Sequence, residues 1–204
     1  MTRKLIYIPI IHGEADMGAL KESIYQASLH KFGENEWKRK IDFVDDLWFE
    51  IEKVVDELSL SYEKVRIYQD GLPLCGIEEK IVTDIANKGS RNHQLLLSLM
   101  RKGATIMGTE SKELLIEEYN FVKQILAEEI STDADKDKAL HESLSDSLLK
   151  RRDQFIADRI NTTLGEGETG ILFLGMLHSL DNLLSEDIRV VYPLSKHRDI
   201  QRQR

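Results

Sequence analysis

Five short apolar runs, separated by much longer amphipathic segments, constrain the fold of this chain more than any other feature. The runs are continuous rather than alternating, and β-branched and aliphatic side chains dominate them. Continuous runs of this length are typical of strands buried on both faces of a parallel sheet, because a sheet with one solvated face alternates apolar and polar residues. The runs cover residues 5–11, 65–68, 104–107, 171–174 and 188–192.

The segments between the runs have helical periodicity. In residues 37–58 apolar side chains recur every three or four positions, and charged side chains occupy the other positions. Such a stripe predicts an amphipathic helix with one face against a core. Further helices are predicted at 17–31, 77–86, 91–101, 111–129 and 139–164.

The order of elements predicts an α/β fold: about five strands in a mainly parallel sheet, helices on both faces, and long helical hairpins. Strands and helices alternate along the chain, which is typical of layered α/β domains. The predicted order also places a helix between the last two strands. A chain of 204 residues fits one domain, here residues 1–195. The basic segment 196–204 is predicted to be a flexible tail.

Composition excludes several classes of protein. A net charge of −8 argues against a nucleic-acid partner, which would require a basic face. The single cysteine, Cys75, excludes both an intrachain disulfide and a cysteine-rich zinc site. The first apolar run covers only residues 5–11, contains Pro9 and leads into polar residues. It is therefore too short and too polar for a signal sequence or a membrane span. We therefore expect a cytoplasmic protein with no membrane partner.

Polar side chains with catalytic or ligating chemistry follow four of the five predicted strands. His12 and Glu14 follow the first, Asp70 the second, Glu110 the third and His178 the fourth. Because parallel strands end at the same edge of a sheet, and ligands bind beyond that edge in open α/β sheets, we expect these side chains to lie close together. Imidazoles and carboxylates suit either a divalent metal or a histidine–carboxylate acid–base pair.

Each of these residues also has an ordinary structural interpretation. Asp70 precedes Gly71 and a nearby proline, a pattern typical of a turn. Glu110 lies just before a predicted helix, where a negative charge interacts favourably with the helix dipole. A single histidine at a strand end is commonly a capping or core residue. The placement of all of them at four strand ends favours a functional site.

Three segments resemble the C-terminal part of the TraB/Tiki-like superfamily, which includes erythromycin-esterase-like and ChaN-like proteins. These segments are residues 152–160, 167–170 and 175–178. The family carries two G-x-x-H motifs at strand ends, an acidic residue after an intermediate strand, and an arginine on the helix before the second motif. Residues 175–178 match the second motif, and residues 9–12 take the place of the first, with proline instead of glycine.

The resemblance implies a metal-assisted hydrolase of peptidase or esterase type, with Mn, Zn or Co held by histidine and carboxylate. The acidic position of the family falls on Asp70 or Glu110. The implied residues are His12, His178 and Glu110 or Asp70 as metal ligands, Glu14 as the nearby base, and Arg152 as the stabiliser of an anion.

Other interpretations stay open at this point. Members of the superfamily differ in chemistry, from metal-dependent proteolysis to metal-free ester hydrolysis and haem-iron binding. The alternative function is a non-catalytic regulatory protein that binds a small molecule, haem or a peptide in the same pocket. The long amphipathic helices are also compatible with a homo-oligomer. Arg152 and Asp153 have a structural alternative as part of a solvated helix face, because Lys150 and Arg151 precede them.

Overall fold

The computed structural model describes residues 2–128 and 138–194, which form a five-stranded sheet and five helices. The strands are β1 (Arg3–Ile10), β2 (Val65–Gln69), β3 (Thr105–Met107), β4 (Thr169–Gly175) and β5 (Ile188–Val191). The helices are α1 (Lys21–Asp56), α2 (Glu78–Asn87), α3 (Arg91–Arg101), α4 (Lys112–Glu128) and α5 (Lys138–Thr163). The predicted tail 196–204 lies outside the described residues.

The sheet is parallel throughout its described strands, with the order β3-β2-β4-β1-β5. The central strand β4 pairs with β1 along its whole length, from Thr169 opposite Lys4 to Gly175 opposite Ile10, and with β2 on its other side. The predicted α/β fold with a parallel sheet is confirmed. The sequence pattern identified the strands correctly, but it contained no information on their order across the sheet.

Two apolar layers cover the two faces of the sheet. Residues of α1, α2 and α3 pack on one face, around Ile6, Ile8 and Ile171. Residues of α5 and of the segment after β4 pack on the other face, around Leu5 and Leu172. Neighbouring residues of β1 therefore face opposite layers, so the strand is apolar at nearly every position. This burial on both faces is the physical reason for the continuous apolar runs.

The two helices predicted between the first two strands form one long helix, α1, with a break at Gly33. The backbone there has φ 78° and ψ 167°, a conformation that is accessible to glycine and strained for other residues. The carboxyl-terminal half of α1 contributes buried residues to the core, including Trp48 and Ile51. In the described residues, no helix combines the length and the apolar composition needed to cross a membrane.

The helix predicted between β4 and β5 is wrong, because this connection consists of turns. Asn182 has a φ of 70°, which is incompatible with a right-handed α-helix at this position. The side chain of Asn161 on α5 accepts a hydrogen bond from the Ser185 N–H and donates one to the Leu183 carbonyl, both at 2.9 Å. The side chain of Asn161 thus satisfies backbone hydrogen-bonding groups that a helix would otherwise have to satisfy.

The connections that follow β1 and β4, which are neighbours in the sheet, leave toward opposite faces. Helix α1 follows β1 and packs in the first layer through Trp48, whereas the segment after β4 packs in the second layer through Leu180 and Leu184. Divergent connections of this kind open a crevice at the carboxyl edge of a parallel sheet, where ligands bind in α/β proteins. The polar residues of the candidate site lie at this edge.

We expect Ile51→Ala to destabilise the fold by about 2–5 kcal/mol, because Ile51 is fully buried between α1 and the sheet and its truncation leaves a cavity. Phe49→Ala on the same helix is the matched control. It removes a larger side chain, but that side chain is 62% exposed, so the change is expected to stay within about 0.5 kcal/mol. Urea unfolding followed by circular dichroism measures both. Equal losses would contradict the assigned packing of α1.

Candidate metal centre

Asp70, directly after β2, is the residue around which the site is built. Its backbone N–H still donates to the Phe173 carbonyl of β4 at 2.9 Å, so the carboxylate is held at the edge of the sheet. One carboxylate oxygen, Oδ2, lies 3.1 Å from Nε2 of His12. The other, Oδ1, accepts a hydrogen bond from Nη2 of Arg152 at 2.8 Å. A carboxylate that is 4% exposed thus contacts groups from two other parts of the chain.

Gly175, the last residue of β4, allows the backbone to approach this carboxylate. Its N–H donates to Asp70 Oδ2 at 2.9 Å, and a Cβ at this position would lie 2.7 Å from the same oxygen. The Gly175 carbonyl accepts a hydrogen bond from the N–H of His178 at 3.1 Å, which closes a turn. The glycine of the G-x-x-H segment is therefore explained by close contact with Asp70, and the turn brings the histidine to the same place.

The imidazole of His178 bridges two carboxylates. Its Nδ1 lies 2.6 Å from Oδ1 of Asp153 on α5, and its Nε2 lies 3.7 Å from Oδ1 of Asp70. Because an ionised carboxylate only accepts hydrogen bonds, Nδ1 carries the proton that is donated to Asp153. In the neutral ring, Nε2 then presents a lone pair toward the oxygen of Asp70. A lone pair and a carboxylate oxygen that face each other at this distance could both contact a cation.

Glu110 follows β3 and is completely buried. Arg152 binds it in a bidentate manner: Nε donates to Oε2 at 3.0 Å and Nη2 donates to Oε1 at 2.5 Å. The Gly71 N–H also donates to Oε1, at 3.2 Å. The guanidinium of Arg152 is 5% exposed and additionally contacts Glu118 of α4. The interpretation of Arg152 and Asp153 as a solvated helix face is therefore wrong, since both residues are buried.

Asp70, Glu110 and His178 lie close enough together to bind a metal ion. Each offers one ligand atom, these atoms lie within 4.8 Å of one another, and all three residues are buried. Two carboxylates and one imidazole form a donor set that suits Zn, Mn or Co. Asp70 Oδ1 and Glu110 Oε2 each accept one hydrogen bond from the described residues, so each keeps a second lone pair for a cation.

The contact between His178 and Asp153 also fits a metal site. Histidines that ligate metals generally donate their other ring N–H to a carboxylate, which fixes the tautomer and the orientation of the ring. Asp153 does this through Nδ1 and also accepts a hydrogen bond from the Ser179 N–H at 3.2 Å. The ring is thus oriented from the side opposite to Asp70.

The charges of the cluster do not balance when both histidines are neutral. Asp70, Glu110 and Asp153 are three buried carboxylates, and Arg152 is the one buried guanidinium among them. Burial raises the pKa of Glu110, as does the charge of Asp70, while Arg152 opposes the rise. An uncompensated buried charge is expensive, so the cluster favours a bound cation or additional protons, and the raised pKa values of Glu110 and His12 favour protons on these two residues.

Hydrogen bonding and charge shift the pKa values of Asp70 and His12 in opposite directions. Burial by itself would raise the pKa of Asp70, but the hydrogen bond with His12 and the charges of His12, His178 and Arg152 hold it well below its usual range. Burial by itself would lower the pKa of His12, and the contact with Asp70 more than offsets this and raises it. The Asp70 carboxylate is therefore a stable anion.

Four of the six predicted site residues form the buried cluster: Asp70, Glu110, Arg152 and His178. His12 contacts this cluster through Asp70, but its side chain is 39% exposed and it lies outside the group of three possible ligands. Glu14 lies in a short 3-10 helix after β1, and its side chain is outside the described part of the chain.

Two residues of the site, Asp153 and Glu118, were not among the predicted ones. The sequence did contain a signal for Asp153. Arg152 follows the buried Leu148 by four positions, and Asp153 precedes the buried Ala157 by four, so both lie on the apolar stripe of α5. Charged residues on an apolar stripe require buried partners. Glu118 is partly exposed and has no comparable signal.

A second cluster, near the start of α3, resembles a catalytic triad but caps a helix. Ser90 Oγ lies 2.5 Å from Asp16 Oδ1 and 2.8 Å from His93 Nδ1, and it accepts a hydrogen bond from the His93 N–H at 3.1 Å. This last contact is the N-cap interaction of α3. The serine is buried and its oxygen is fully engaged, so it is not positioned as a nucleophile.

We expect Arg152→Met to destabilise the protein by about 3–5 kcal/mol, because it leaves the carboxylates of Asp70 and Glu110 buried without a cation. Arg151→Met is the matched control. Arg151 is half exposed and pairs with an exposed glutamate, so its loss is expected to change stability by less than about 1 kcal/mol. Chemical unfolding at neutral pH measures both. Similar small effects in the two variants would contradict the buried cluster.

Asp16→Asn is expected to reduce stability in a pH-dependent way. Burial alone would raise the pKa of Asp16, but hydrogen bonds from His93, Ser90 and the Gly13 N–H hold it below its usual 3.8. The ionised carboxylate thus stabilises the fold above pH 3.8, and this contribution is lost as the pH falls through the lowered pKa.

Urea unfolding of the wild type and of the Asp16→Asn variant at several pH values tests this expectation. The difference should be about 1–3 kcal/mol at pH 7 and should shrink in acid. Asp84→Asn, at an exposed position of α2, is the control and should stay within about 0.5 kcal/mol. A difference that is constant over the whole range would contradict the role given to the Asp16 charge.

Comparisons with known proteins give no match to any protein-family model, curated protein or solved structure. The resemblance to the TraB/Tiki-like superfamily therefore stays a prediction from the motifs, and the geometry of the site carries the functional argument.

Proposed function

We propose that the chain is a metal-assisted hydrolase of peptidase or esterase type. A divalent ion, Mn, Zn or Co, is held by Asp70, Glu110 and His178 at the carboxyl edge of the sheet. The observation that carries the proposal is the buried group of three ligand atoms within 4.8 Å of one another. The buried carboxylates around Arg152 also support it, because a bound cation would compensate their charge in place of protons on Glu110 and His12.

A divalent ion in this position supplies Lewis-acid activation of a carbonyl group. The chain's own residues prepare the site for it. Asp70 is oriented by the Gly175 N–H and by His12, and His178 is oriented by Asp153. A site in which every ligand is held by a second contact loses little entropy when it binds a metal.

Arg152 acts in this proposal as a positioning residue. Its Nε, Nη1 and Nη2 atoms already donate to Glu110, Glu118 and Asp70. It therefore holds the two ligand carboxylates at a fixed separation. This differs from the expectation that it stabilises an anionic substrate, for which its hydrogen-bond donors would have to be available.

His12 is the member of the site that a substrate can reach. Its ring contacts Asp70 and is 39% exposed, whereas the side chain of His178 is 5% exposed. We assign to His12 the transfer of a proton to or from the substrate. Glu14 remains the second candidate base, as predicted from its position after β1.

The second candidate is a non-catalytic binding protein that uses the same edge of the sheet for a small molecule, haem or a peptide. The contacts of Arg152 favour this candidate, because the positive charge of the guanidinium already pairs with Asp70 and Glu110. In that case the cluster is structural, and the three residues hold no divalent ion when the ligand binds. A metal titration separates the two candidates.

Cytoplasmic location and homo-oligomerisation stay predictions. The first depends on the apolar run 5–11, which is too short and is followed by residues too polar for a membrane span. The second depends on the amphipathic helices, in which Phe32, Phe43 and Phe49 of α1 are exposed. Light scattering during size-exclusion chromatography measures the assembly state.

The metal proposal predicts a rise in melting temperature when Mn²⁺, Zn²⁺ or Co²⁺ is added to chelator-treated protein. A ligand at one hundred times its Kd stabilises the native state by about 2.7 kcal/mol, which corresponds to roughly 5–10 °C for a domain of this size. His178→Ala should abolish the rise, and Asp153→Asn should weaken metal affinity about 10–100-fold.

His30→Ala is the matched control, because His30 is exposed on α1, and it should leave the metal response unchanged. Hydrolysis of p-nitrophenyl acetate and of fluorescein-labelled casein should require the same metal and should fall in His12→Ala. Failure of all three ions to raise the melting temperature would overturn the metal site. A metal response without hydrolysis of either substrate would keep the metal site and contradict the hydrolase.

A further inference from the structure

A cavity of about 240 Å³ lies beside His12, between α1 and the start of α3. Trp37 and Trp48 of α1 form part of its wall, and Met17 lines it from the segment that follows β1. Because His12 also contacts Asp70, the cavity adjoins the candidate metal centre. A part of the chain that covers this cavity therefore lies beside the centre as well.

The first half of α1, residues 21–32, folds back toward the cavity wall. The ring of Tyr25 meets the ring of Trp37 edge-on, with 5.5 Å between the ring centroids. In a continuous helix these two residues would lie about 18 Å apart along the axis, too far for their rings to touch. The break at Gly33 makes the contact possible, and it places the first half of α1 beside the cavity.

A glycine with a positive φ lies at each end of this segment. Gly18 has a φ of 54° and Gly33 has a φ of 78°. At both positions, nothing in the described part of the chain lies within 4 Å of the place that a Cβ would take. The backbone can therefore turn at both glycines without displacing packed neighbours, as hinge positions require.

The segment between the two glycines contributes little to the core. All buried residues of α1 follow the break at Gly33, from Trp37 to Val55. Phe32, directly before the break, is 61% exposed. A segment with few buried apolar contacts separates from the rest of a protein at a low cost in free energy.

A continuous helix is the alternative conformation of α1. The chain is helical on both sides of Gly33, so this one residue interrupts the helix. Glycine accepts both the observed conformation and the helical one. In the continuous helix Tyr25 lies far from Trp37, and the indole loses the ring that packs against it.

We propose that residues 18–33 form a lid over the cavity beside His12. The lid turns at Gly18 and Gly33, and the contact of Tyr25 with Trp37 holds it closed. In the closed state Trp37 is 7% exposed. In the open state α1 is continuous, and solvent and ligands reach the indole. This lid does not depend on the proposed hydrolase function, because it covers the cavity with or without a metal.

Pulsed EPR spectroscopy measures the two states directly. Spin labels are attached to Ser23→Cys and Asp46→Cys, two exposed positions on either side of the break, in a chain that also carries Cys75→Ser. A continuous helix places the labelled positions about 34 Å apart. We expect a main population at a clearly shorter distance and a minor population near 34 Å.

Gly33→Ala is the decisive variant, because alanine favours the helical conformation and is strained at the observed φ. We expect the population near 34 Å to become the main one. Gly76→Ala is the matched control. Gly76 has a φ of 79°, and a Cβ there would also meet no described atom within 4 Å, but the residue lies outside the lid. This variant should leave the distances unchanged.

Tyr25→Ala tests the closing contact without altering the hinge. It removes the ring that packs against Trp37, so the population at the longer distance should rise at least twofold. Tyr119→Ala is the control, because Tyr119 is a partly exposed tyrosine of α4. It should leave the distances unchanged.

Acrylamide quenching of fluorescence shows whether the moving segment covers the cavity. Trp48→Phe leaves Trp37 as the single tryptophan of the chain. In this background, Gly33→Ala should increase the quenching of Trp37 at least twofold, and Gly76→Ala should not.

A single short distance in the wild type, in Gly33→Ala and in Tyr25→Ala would overturn the lid. A longer distance without stronger quenching would also overturn it, because the segment would then move without covering the cavity. All measurements use chelator-treated protein. If the distances change as expected and no metal raises the melting temperature, the hydrolase is refuted and the lid is kept. A metal response with unchanged distances does the reverse.

Discussion

The carboxylate of Asp70 is the interaction on which the rest of the site depends. It receives the N–H of Gly175 from β4, the guanidinium of Arg152 from α5 and the ring of His12 from the loop after β1. One anion thus joins two neighbouring strands and the helical layer on the second face of the sheet. Its oxygens are buried, so each of these contacts is made in a medium where charge interactions are strong.

The negative charge around Asp70 explains why the site contains an arginine. Buried carboxylates repel one another, and a single guanidinium reduces this repulsion without removing it. Arginine suits the task better than lysine, because its planar fork contacts Glu110 at two atoms and reaches Asp70 at the same time. The remaining negative charge is compensated either by protons on Glu110 and His12, whose pKa values are raised, or by a bound cation.

The fold class and most of the site could be predicted from the sequence, because both depend on local pattern. Continuous apolar runs require burial on both faces, and parallel strands bring Asp70, Glu110 and His178 to one edge. The strand order could not be predicted, since periodicity contains no information on pairing. The charged neighbours of Asp153 in sequence indicate an exposed residue, whereas its position on the apolar stripe of α5 indicates the buried one that the structure shows.

Helix α5 carries Arg152 and Asp153 at consecutive positions, and the two side chains serve different partners. Consecutive residues of a helix differ by about 100° in direction, so the helix can satisfy both partners in only one rotational setting. A twist or slide of α5 therefore moves the carboxylate cluster and the imidazole of His178 together. Through Glu118, helix α4 is attached to the same guanidinium. Both helices are thus attached to the carboxylate cluster at the sheet edge.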